Sequence, residues 1–317
     1  MNEYLTYLYL LTPLHTGGSA DEGNLMGIAR EVHTEFPYLP SSSLRGRIRA
    51  AMEKTATEGS PLSTDAAENF FGRKLKNGLP TEGEVWFADA TLLFFPVASL
   101  SHHLVWMTCP LWLERWSRWL GDKAISQTIL KCRKSLAGKE RPAVSAVLNF
   151  DADTLYLQTA VLSKSEIGHF DTSSIKTALA SVIDTSPIAE HLLEKIIVLS
   201  DENCISLVET GLQREVRVAL KADTKTVDGG SFRSEEAIPP EAVLFFPWGT
   251  KAVKPFQPNS DVDTQANQAA KQTKDKNDQA ARKAITELLH GQRLQFGGLE
   301  GLGRGWTSLI TANQSEA

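Results

Sequence analysis

Residues 297–305 read Gly-Gly-Leu-Glu-Gly-Leu-Gly-Arg-Gly, with five glycines in nine positions. This composition disfavours a helix or an ordinary strand, because glycine loses more backbone entropy on ordering than any other residue. Strand-like residues lie on both sides, at 294–296 and 306–310. The segment therefore predicts a loop between two strands, without the following helix that a dinucleotide-binding turn requires. Two roles stay open: a tight hairpin, or a main-chain cradle for phosphate with Arg304 as its cation.

Composition limits the kind of protein that can contain this loop. The 317 residues are 42% hydrophobic and carry a formal net charge of -5. Such a chain can bury a large core, and its acidic balance requires that any nucleic acid be held in a local basic groove. No apolar run has the length of a membrane span. Three cysteines, far apart and odd in number, favour the reducing cytoplasm over a disulfide framework or zinc site: Cys109, Cys132 and Cys204.

The first hundred residues contain the clearest binding signal outside the loop. A buried strand is predicted at 4–11, followed by a long irregular segment to residue 40. Three serines at 41–43 then supply helix-capping hydroxyls, and apolar residues follow at helical spacing. Because a helix N-terminus attracts anions, Arg45 in this first turn predicts a phosphate-binding position.

The rest of the chain predicts a strand at 85–96, a helix near 111–120 and mainly helical structure at 122–200. The tryptophans near 111–120 favour core packing over base stacking. Alternating residues predict a hairpin at 214–232 with a polar tip at 221–230, and a second strand at 242–246 ends at Pro247. Residues 251–281 are polar and nearly free of large apolar groups, which predicts a mobile linker before a helix at 282–290.

Six segments together resemble the RAMP backbone subunits of type III CRISPR effector complexes, most closely those of type III-B. The resemblance spans the chain, in the family's order, although the family usually has lysine at the position of Arg45. The segments are 12–18 (TPLHTGG), 30–37 (REVHTEFP), 41–49 (SSSLRGRIR), 71–72 (FG), 89–97 (DATLLFFPV) and 295–305 (QFGGLEGLGRG).

The resemblance implies an α+β fold, with an RRM-like (ferredoxin-like) palm, a thumb β-hairpin and a helical insertion in one RAMP domain over 1–317. The palm would comprise 1–100 and 200–317, the insertion 101–200 and the thumb 212–235. Several copies would stack along a CRISPR RNA, and each thumb would displace one base pair of the guide–target duplex. The implied thumb-tip residues are Lys221, Thr224, Lys225 and Val227.

The resemblance also implies partners and contacts. The partners are CRISPR RNA, complementary target RNA, further copies of the chain and other type III subunits, with no membrane. Phosphate contacts by a few converging arginines would hold the RNA despite the acidic net charge. The implied RNA-binding residues are His15, Gly17, Gly18, Ser42, Ser43, Arg45, Arg49, Gly297, Gly298, Gly303 and Arg304.

The sequence departs from the family at the residue associated with metal-dependent cleavage of target RNA. Type III-B relatives carry an aspartate in a stretch of the form Asp-x-Pro-Ile-x-Arg-Glu. Counting back from Arg30 and Glu31 places Leu25 at that position, and a one-residue gap places Asn24 there. Neither side chain can hold a divalent cation by charge or accept a proton. We therefore predict retained RNA binding with weak or absent cleavage.

Three alternatives remain. Asp21 could bind Mg²⁺ while His15 supports a leaving group, in which case Mg²⁺ is the cofactor, although a solvated Asp21–Glu22 pair is favoured. A metal-free endonuclease of the same superfamily would cut precursor RNA with His15 or His33 as its base. An interaction protein without nucleic acid would use the glycine loop only for structure.

Overall fold

The computed structural model describes residues 3–18, 21–22, 25–57, 64–73, 81–137, 144–180, 187–251, 279–280 and 282–313. The strands, in chain order, are β1 (Glu3–Leu10), β2 (Asp21–Glu22), β3 (Leu25–Met26), β4 (Tyr38–Leu39), β5 (Val85–Phe87), β6 (Ala90–Ser99), β7 (His103–Thr108), β8 (Ala146–Leu148), β9 (Thr154–Tyr156), β10 (Val161–Ser163), β11 (Ile167–His169), β12 (Ile196–Leu199), β13 (Gln213–Leu220), β14 (Val227–Ala237), β15 (Val243–Thr250), β16 (Arg293–Gln295) and β17 (Trp306–Asn313).

Helices are interspersed with these strands. They are α1 (Ser41–Thr57), α2 (Thr64–Phe71), α3 (Pro110–Leu120), α4 (Lys123–Leu136), α5 (Ser173–Ala178), α6 (Pro187–Glu194), α7 (Asp201–Gly211) and α8 (residues 282–288). Short 3₁₀ turns occur at Lys164–Glu166 and Glu300–Leu302. Within the described part of the chain, none of the helices has the length and apolarity to cross a membrane.

The main sheet has the strand order β11-β8-β12-β7-β6-β15-β1-β17-β16, with β4 beside β6 and β5 beside β15. β1, an interior strand of this sheet, is rich in aromatic and aliphatic residues, which pack well on a pleated surface. β1 pairs antiparallel with β15 on one edge and with β17 on the other. This register fixes where each loop lies along the sheet.

Two hydrophobic cores cover the two faces of the main sheet. In one core, Leu44 and Ile48 of α1 pack together with Phe296 beside the glycine loop. In the other, Ile125 of α4 packs with Trp116 of α3. The tryptophan prediction is confirmed for Trp106, Trp112 and Trp116, which are fully buried, while Trp119 is partly exposed.

Residues 101–200 differ from the prediction of a mainly helical insertion. Helices α3 to α6 are present, but β7, β8, β11 and β12 continue the main sheet. Three of these strands have only three or four residues, which is too short for a two-residue periodicity to be visible. The segment is therefore mixed and is joined to the palm through the sheet.

The strand predicted at 242–246 continues through Pro247 to Thr250. β15 pairs with β6 as far as Phe245 and with β5 from Trp248 onward. Pro247 lies between these two partners, at the point where its missing N–H interrupts neither ladder. The predicted linker at 251–281 lies almost wholly outside the described residues.

A second sheet contains the predicted thumb. β13 and β14 form an antiparallel hairpin, and β3 and β2 continue the sheet in the order β13-β14-β3-β2. The hairpin strands extend beyond the predicted 214–232, to Gln213 and Ala237. The irregular segment after β1 is therefore paired with the thumb through β3.

Candidate RNA-binding surfaces

The glycine loop, residues 297–305, connects the antiparallel strands β16 and β17 and packs against the segment after β1. The N–H of Gly298 donates to the carbonyl of His15 at 2.8 Å, and the N–H of Gly305 donates to that of Pro13 at 2.8 Å. A Cβ at Gly297 would lie 2.3 Å from the His15 oxygen, and one at Gly305 1.8 Å from the Phe296 oxygen. Both glycines also have positive φ. Internal packing therefore requires these glycines, as expected of a tight hairpin.

His15 is buried, with 5% of its surface exposed. Its Nδ1 lies 2.8 Å from the main-chain oxygen of Glu236. Because a carbonyl only accepts, Nδ1 carries the proton and links the segment after β1 to the base of the thumb. Its neighbours enclose the ring, and the catalytic and RNA-binding roles of His15 stay predictions.

Arg304 was predicted to offer its charge to phosphate, and in the structure it pairs with carboxylates of the same chain. Its side chain is buried, with Nη2 2.5 Å from the Glu215 carboxylate and 3.8 Å from that of Glu235. Both glutamates belong to the thumb hairpin. The arginine charge is therefore compensated inside the protein, a partner set that the loop sequence alone does not reveal.

The start of α1 differs from the glycine loop in the partners of its arginine. The N–H of Ser41 donates to Asp89 Oδ1 at 2.6 Å, so one of the predicted free amides is already occupied. Arg45 donates to the carbonyls of Phe71 and Val85, each at 2.8 Å, and lies over the Phe71 ring. In the described part of the chain no carboxylate pairs with Arg45. Its positive charge is held in place and remains uncompensated.

A cavity of about 450 Å³ opens beside this helix start. Burial, and then the neighbouring Arg49, lower the pKa of Arg45 below its ordinary value. An anion that entered the cavity would offset both effects, because it would compensate the partly desolvated charge. Trp86 and Lys251, which sequence reasoning missed, lie far from the serines in sequence. The lining residues are Ser41, Ser42, Arg45, Glu82, Gly83, Val85, Trp86, Phe87 and Lys251.

The remaining predicted contacts fall into two groups: Arg49, Ser43 and Gly18 have contacts within the chain, whereas Gly17 and Gly303 face open space. Arg49 forms an ion pair with Glu53 one helical turn later, at 2.7 Å. The N–H of Ser43 donates to the carbonyl of Pro40. Gly18 packs closely on the main chain of residues 27–28. Gly17 and Gly303 have open space at the Cβ position, so packing does not explain them.

The two predicted phosphate sites do not form one groove. The start of α1 lies at the level of Leu5 along β1. Asp89 caps α1, the N–H of the adjacent Ala88 donates to the carbonyl of Pro247, and Pro247 pairs with Leu5. The glycine loop lies instead beside Leu11, whose N–H donates to Trp306. Six residues of extended chain separate these levels, or about 20 Å at about 3.3 Å per residue. The expectation of one shared basic trough is therefore wrong within a single chain.

The thumb hairpin presents one apolar face to solvent. Alternate residues of β13 lie on this face together with their cross-strand partners on β14. Their exposed fractions range from 40% to 67%, and they are Val216, Val218, Leu220, Val227 and Phe232. The tip, where Lys221, Thr224 and Lys225 were predicted, is a closed turn in which the N–H of Lys225 donates to Lys221. The tip residues are exposed and available to a partner.

The cleavage position is tied to the base of this thumb. Asp21 pairs with Met26 in the β2–β3 hairpin, and Met26 pairs with Glu235 of β14. Leu25, which counting without a gap places at the family's aspartate position, lies in β3 and has no side-chain oxygen to offer a metal. Asn24 lies outside the described residues. No group of three His, Cys, Asp or Glu side chains suited to a metal was found in the described ranges. Leu25 therefore does not fit a Mg²⁺ site.

Comparison with known proteins gives consistent results. The sequence model described as RAMPs, the RAMP superfamily, matches residues 7–308. The CRISPR system Cmr endoribonuclease Cmr4 of Pyrococcus furiosus is 27% identical over 98% of this chain and 95% of its own length. The crystal structure of oligomeric Cmr4 from that organism shares 24% identity and 99% of both chains, with a TM-score of 0.64.

A chain of the cryo-EM structure of the type III-B Cmr-beta bound to cognate target RNA has a TM-score of 0.71. It is 18% identical, and the match covers 98% of this chain and 97% of that one. At these identities the two structures show a common fold. The predicted α+β class is confirmed.

Proposed function

This chain belongs to the RAMP superfamily, and on that premise we propose that it is a CRISPR RNA-binding backbone subunit of a type III-B effector complex. Its relatives include the Cmr endoribonuclease Cmr4 and a chain of a type III-B complex bound to target RNA. The proposal includes a cytoplasmic location, partner subunits of the same effector, and several copies stacked along the guide.

The thumb is the observation that carries this proposal. A hairpin with five exposed apolar side chains on one face is unusual on a monomer's surface, because such residues normally pack in a core. Aromatic and aliphatic side chains can instead contact the faces of nucleobases. We propose that the apolar face enters the guide–target duplex and displaces bases at regular intervals.

The cavity at the start of α1 supplies the complementary electrostatic contact. Arg45 and Lys251 line it, and Arg45 is held rigidly by two carbonyls. Only Lys251 of these two has a carboxylate partner among the described residues, namely Glu82. A phosphate of the guide backbone would complete the coordination of Arg45. This contact is independent of sequence, as a guide-binding subunit requires.

We propose that target cleavage by this chain is weak or absent. The support is chemical: the residue at the aspartate position, Leu25 or Asn24 with a one-residue gap, is not a carboxylate, and His15 is enclosed and hydrogen-bonded to main chain. Neither group can bind Mg²⁺ or transfer a proton to a substrate in this arrangement. The alternative within the family is a Mg²⁺-dependent endoribonuclease that uses Asp21, which lies in the same β2–β3 hairpin.

One experiment separates these alternatives. Labelled complementary RNA is incubated with the reconstituted complex, with Mg²⁺ and with EDTA, and both binding and fragments are measured. We expect tight binding in both conditions and no regularly spaced fragments. Fragments that require Mg²⁺ and vanish in Asp21→Ala, but persist in Glu22→Ala, would establish the slicer. Failure to bind RNA at stated low salt would reject the proposed function itself.

A further inference from the structure

Two consecutive glutamates at the base of the thumb have unusual surroundings. Glu235 and Glu236 both lie on β14 and are almost completely buried. Successive residues of a strand point to opposite faces, so the two carboxylates leave the hairpin on opposite sides. Burying a carboxylate is costly unless it is paired and hydrogen-bonded. Each glutamate should therefore have a complete set of partners.

The partners of Glu236 form what we call the Glu236 network: Arg30, Glu209, Arg214 and Glu236. Arg30 Nη2 lies 2.9 Å from Glu236 and Arg214 Nη2 lies 3.1 Å from it, while Arg30 also pairs with Glu209 of α7. Burial alone would lower the pKa of Arg30, but its hydrogen bonds to Glu209 and Glu236 raise it. Arg30 therefore stays charged and joins three separate segments.

The partners of Glu235 form the Glu235 network: Glu215, Arg217, Glu235 and Arg304. Arg217 Nε lies 3.0 Å from Glu235, and Arg217 Nη2 lies 3.3 Å from Glu215. Arg304 contacts both carboxylates from the glycine loop. Each network thus contains two arginines and two glutamates, with no net charge.

The two networks have the same design on opposite faces. In each, one arginine belongs to the thumb itself: Arg217, whose two partners are both in the hairpin, or Arg214, which also reaches Glu209 of α7 at 4.0 Å. The second arginine comes from outside the hairpin: Arg30 from the segment after β3, and Arg304 from the glycine loop. Arginine suits this role because its planar, permanently charged fork can contact two carboxylates at once.

We propose that Arg30 and Arg304 are positioning residues that fix the angle of the thumb from its two sides. Without them the hairpin would be attached through its strand ends, the short β3 pairing, the His15–Glu236 hydrogen bond and the longer Arg214–Glu209 ion pair. The networks thus determine where the apolar face meets the RNA duplex. This inference rests on the proposed function, in which the thumb displaces bases.

The test measures base displacement separately from RNA binding. The full chain is assembled with its CRISPR RNA and a complementary RNA in which 2-aminopurine replaces one base at a time, so a displaced base gains fluorescence. RNA affinity is measured in parallel by anisotropy. The variants are Arg30→Met and Arg304→Met, with Arg304→Lys as the conservative variant. Lys164→Met, which removes an exposed ion pair with Asp153, is the matched control.

In the two methionine variants we expect the fluorescence gain to fall at least about five-fold, while the RNA affinity changes by less than about three-fold. Arg304→Lys should recover most of the signal because it retains the charge. Circular dichroism identifies variants that fail to fold. If Arg304→Met does not fold, Glu215→Gln takes its place. This variant changes a partly exposed partner of Arg304 and should broaden the pattern of displaced positions.

The outcomes separate the two proposals. If the native assembly neither binds RNA nor displaces bases, the proposed function fails. If the native assembly displaces bases at regular intervals and the folded variants do so equally, at the same positions, the inference about Arg30 and Arg304 is overturned. A loss in Lys164→Met equal to that in Arg304→Met would also overturn it.

Discussion

The glycine loop and the start of α1 carry the same sequence signature, small residues next to an arginine, but the structure uses them differently. The loop turns its N–H groups inward to Pro13 and His15, and its arginine is buried between glutamates. At the helix start, Arg45 has no carboxylate partner among the described residues and lies beside an open cavity. Whether glycine or serine residues next to an arginine can bind an external anion therefore depends on whether the chain itself supplies a carboxylate to that arginine.

The largest expected effect tests the structural role of the loop. Gly305→Ala should lower the free energy of unfolding by about 3 kcal/mol or more, because a Cβ there would overlap the Phe296 carbonyl at a positive φ. Chemical denaturation measures the change. Gly301→Ala is the control, since a Cβ there meets open space, and it should change the free energy by less than about 0.5 kcal/mol. Equal effects would mean that the loop is not tightly packed.

A smaller stability effect is expected at the base of the thumb. Glu236→Gln should cost about 2 kcal/mol, because it leaves Arg30 and Arg214 without their shared buried carboxylate, although both arginines retain some water contact. The measurement is urea denaturation, with Glu53→Gln on the exposed face of α1 as control. A Glu236→Gln value as small as that of the control would show that the Glu236 network contributes nothing to stability.

RNA binding should respond at α1. Arg45→Gln should weaken the binding of single-stranded RNA by about ten-fold, or about 1.4 kcal/mol, because it removes the held cation. The glutamine amide can still donate to one of the two carbonyls, which limits the loss of stability. Filter binding at fixed ionic strength gives the value. Unchanged affinity in a folded Arg45→Gln protein would show that the cavity beside α1 does not contribute to RNA binding.

The smallest effect concerns pH. Burial alone would raise the pKa of Glu215, but Arg304, Gln213 and Arg217 bring it below its ordinary value of 4.5. A lowered folded pKa means that the stabilisation is present above the unfolded pKa and is lost as pH falls through the folded one. The Tm difference between native protein and Glu215→Gln should therefore be constant from pH 7 to about 5 and shrink below about 4.5. A difference that grows on acidification would contradict this sign.

Sequence reasoning identified the elements of the fold better than their contacts. β1, the start of α1 and the hairpin between β13 and β14 follow local patterns of two-residue or helical period, whereas the α+β class came from the resemblance to RAMP subunits. The short strands β8, β11 and β12 carry too few residues for such a pattern. Local rules also gave no information on which end of the sheet each loop occupies, because strand register is a long-range property.

Because contacts between distant segments cannot be read from local sequence, the partners of the predicted site residues were missed. Arg304 resembles a phosphate ligand until Glu215 and Glu235, which lie at least 69 positions away in sequence, are brought beside it. His15 is enclosed by the thumb base for the same reason. Lys251 and Trp86 joined Arg45 only through the pairing of β5 with β15. The acidic residues of the thumb were the available signal, since buried arginines need carboxylate partners.

The salt dependence of RNA binding tests the central claim most directly. The logarithm of the affinity for single-stranded RNA is plotted against the logarithm of salt concentration for native protein, Arg45→Gln and Arg304→Gln. We predict that the slope becomes shallower by about 0.7 in Arg45→Gln, as expected for one lost phosphate contact, and is unchanged in Arg304→Gln. A slope that changes in Arg304→Gln and not in Arg45→Gln would place the phosphate at the glycine loop and contradict the account.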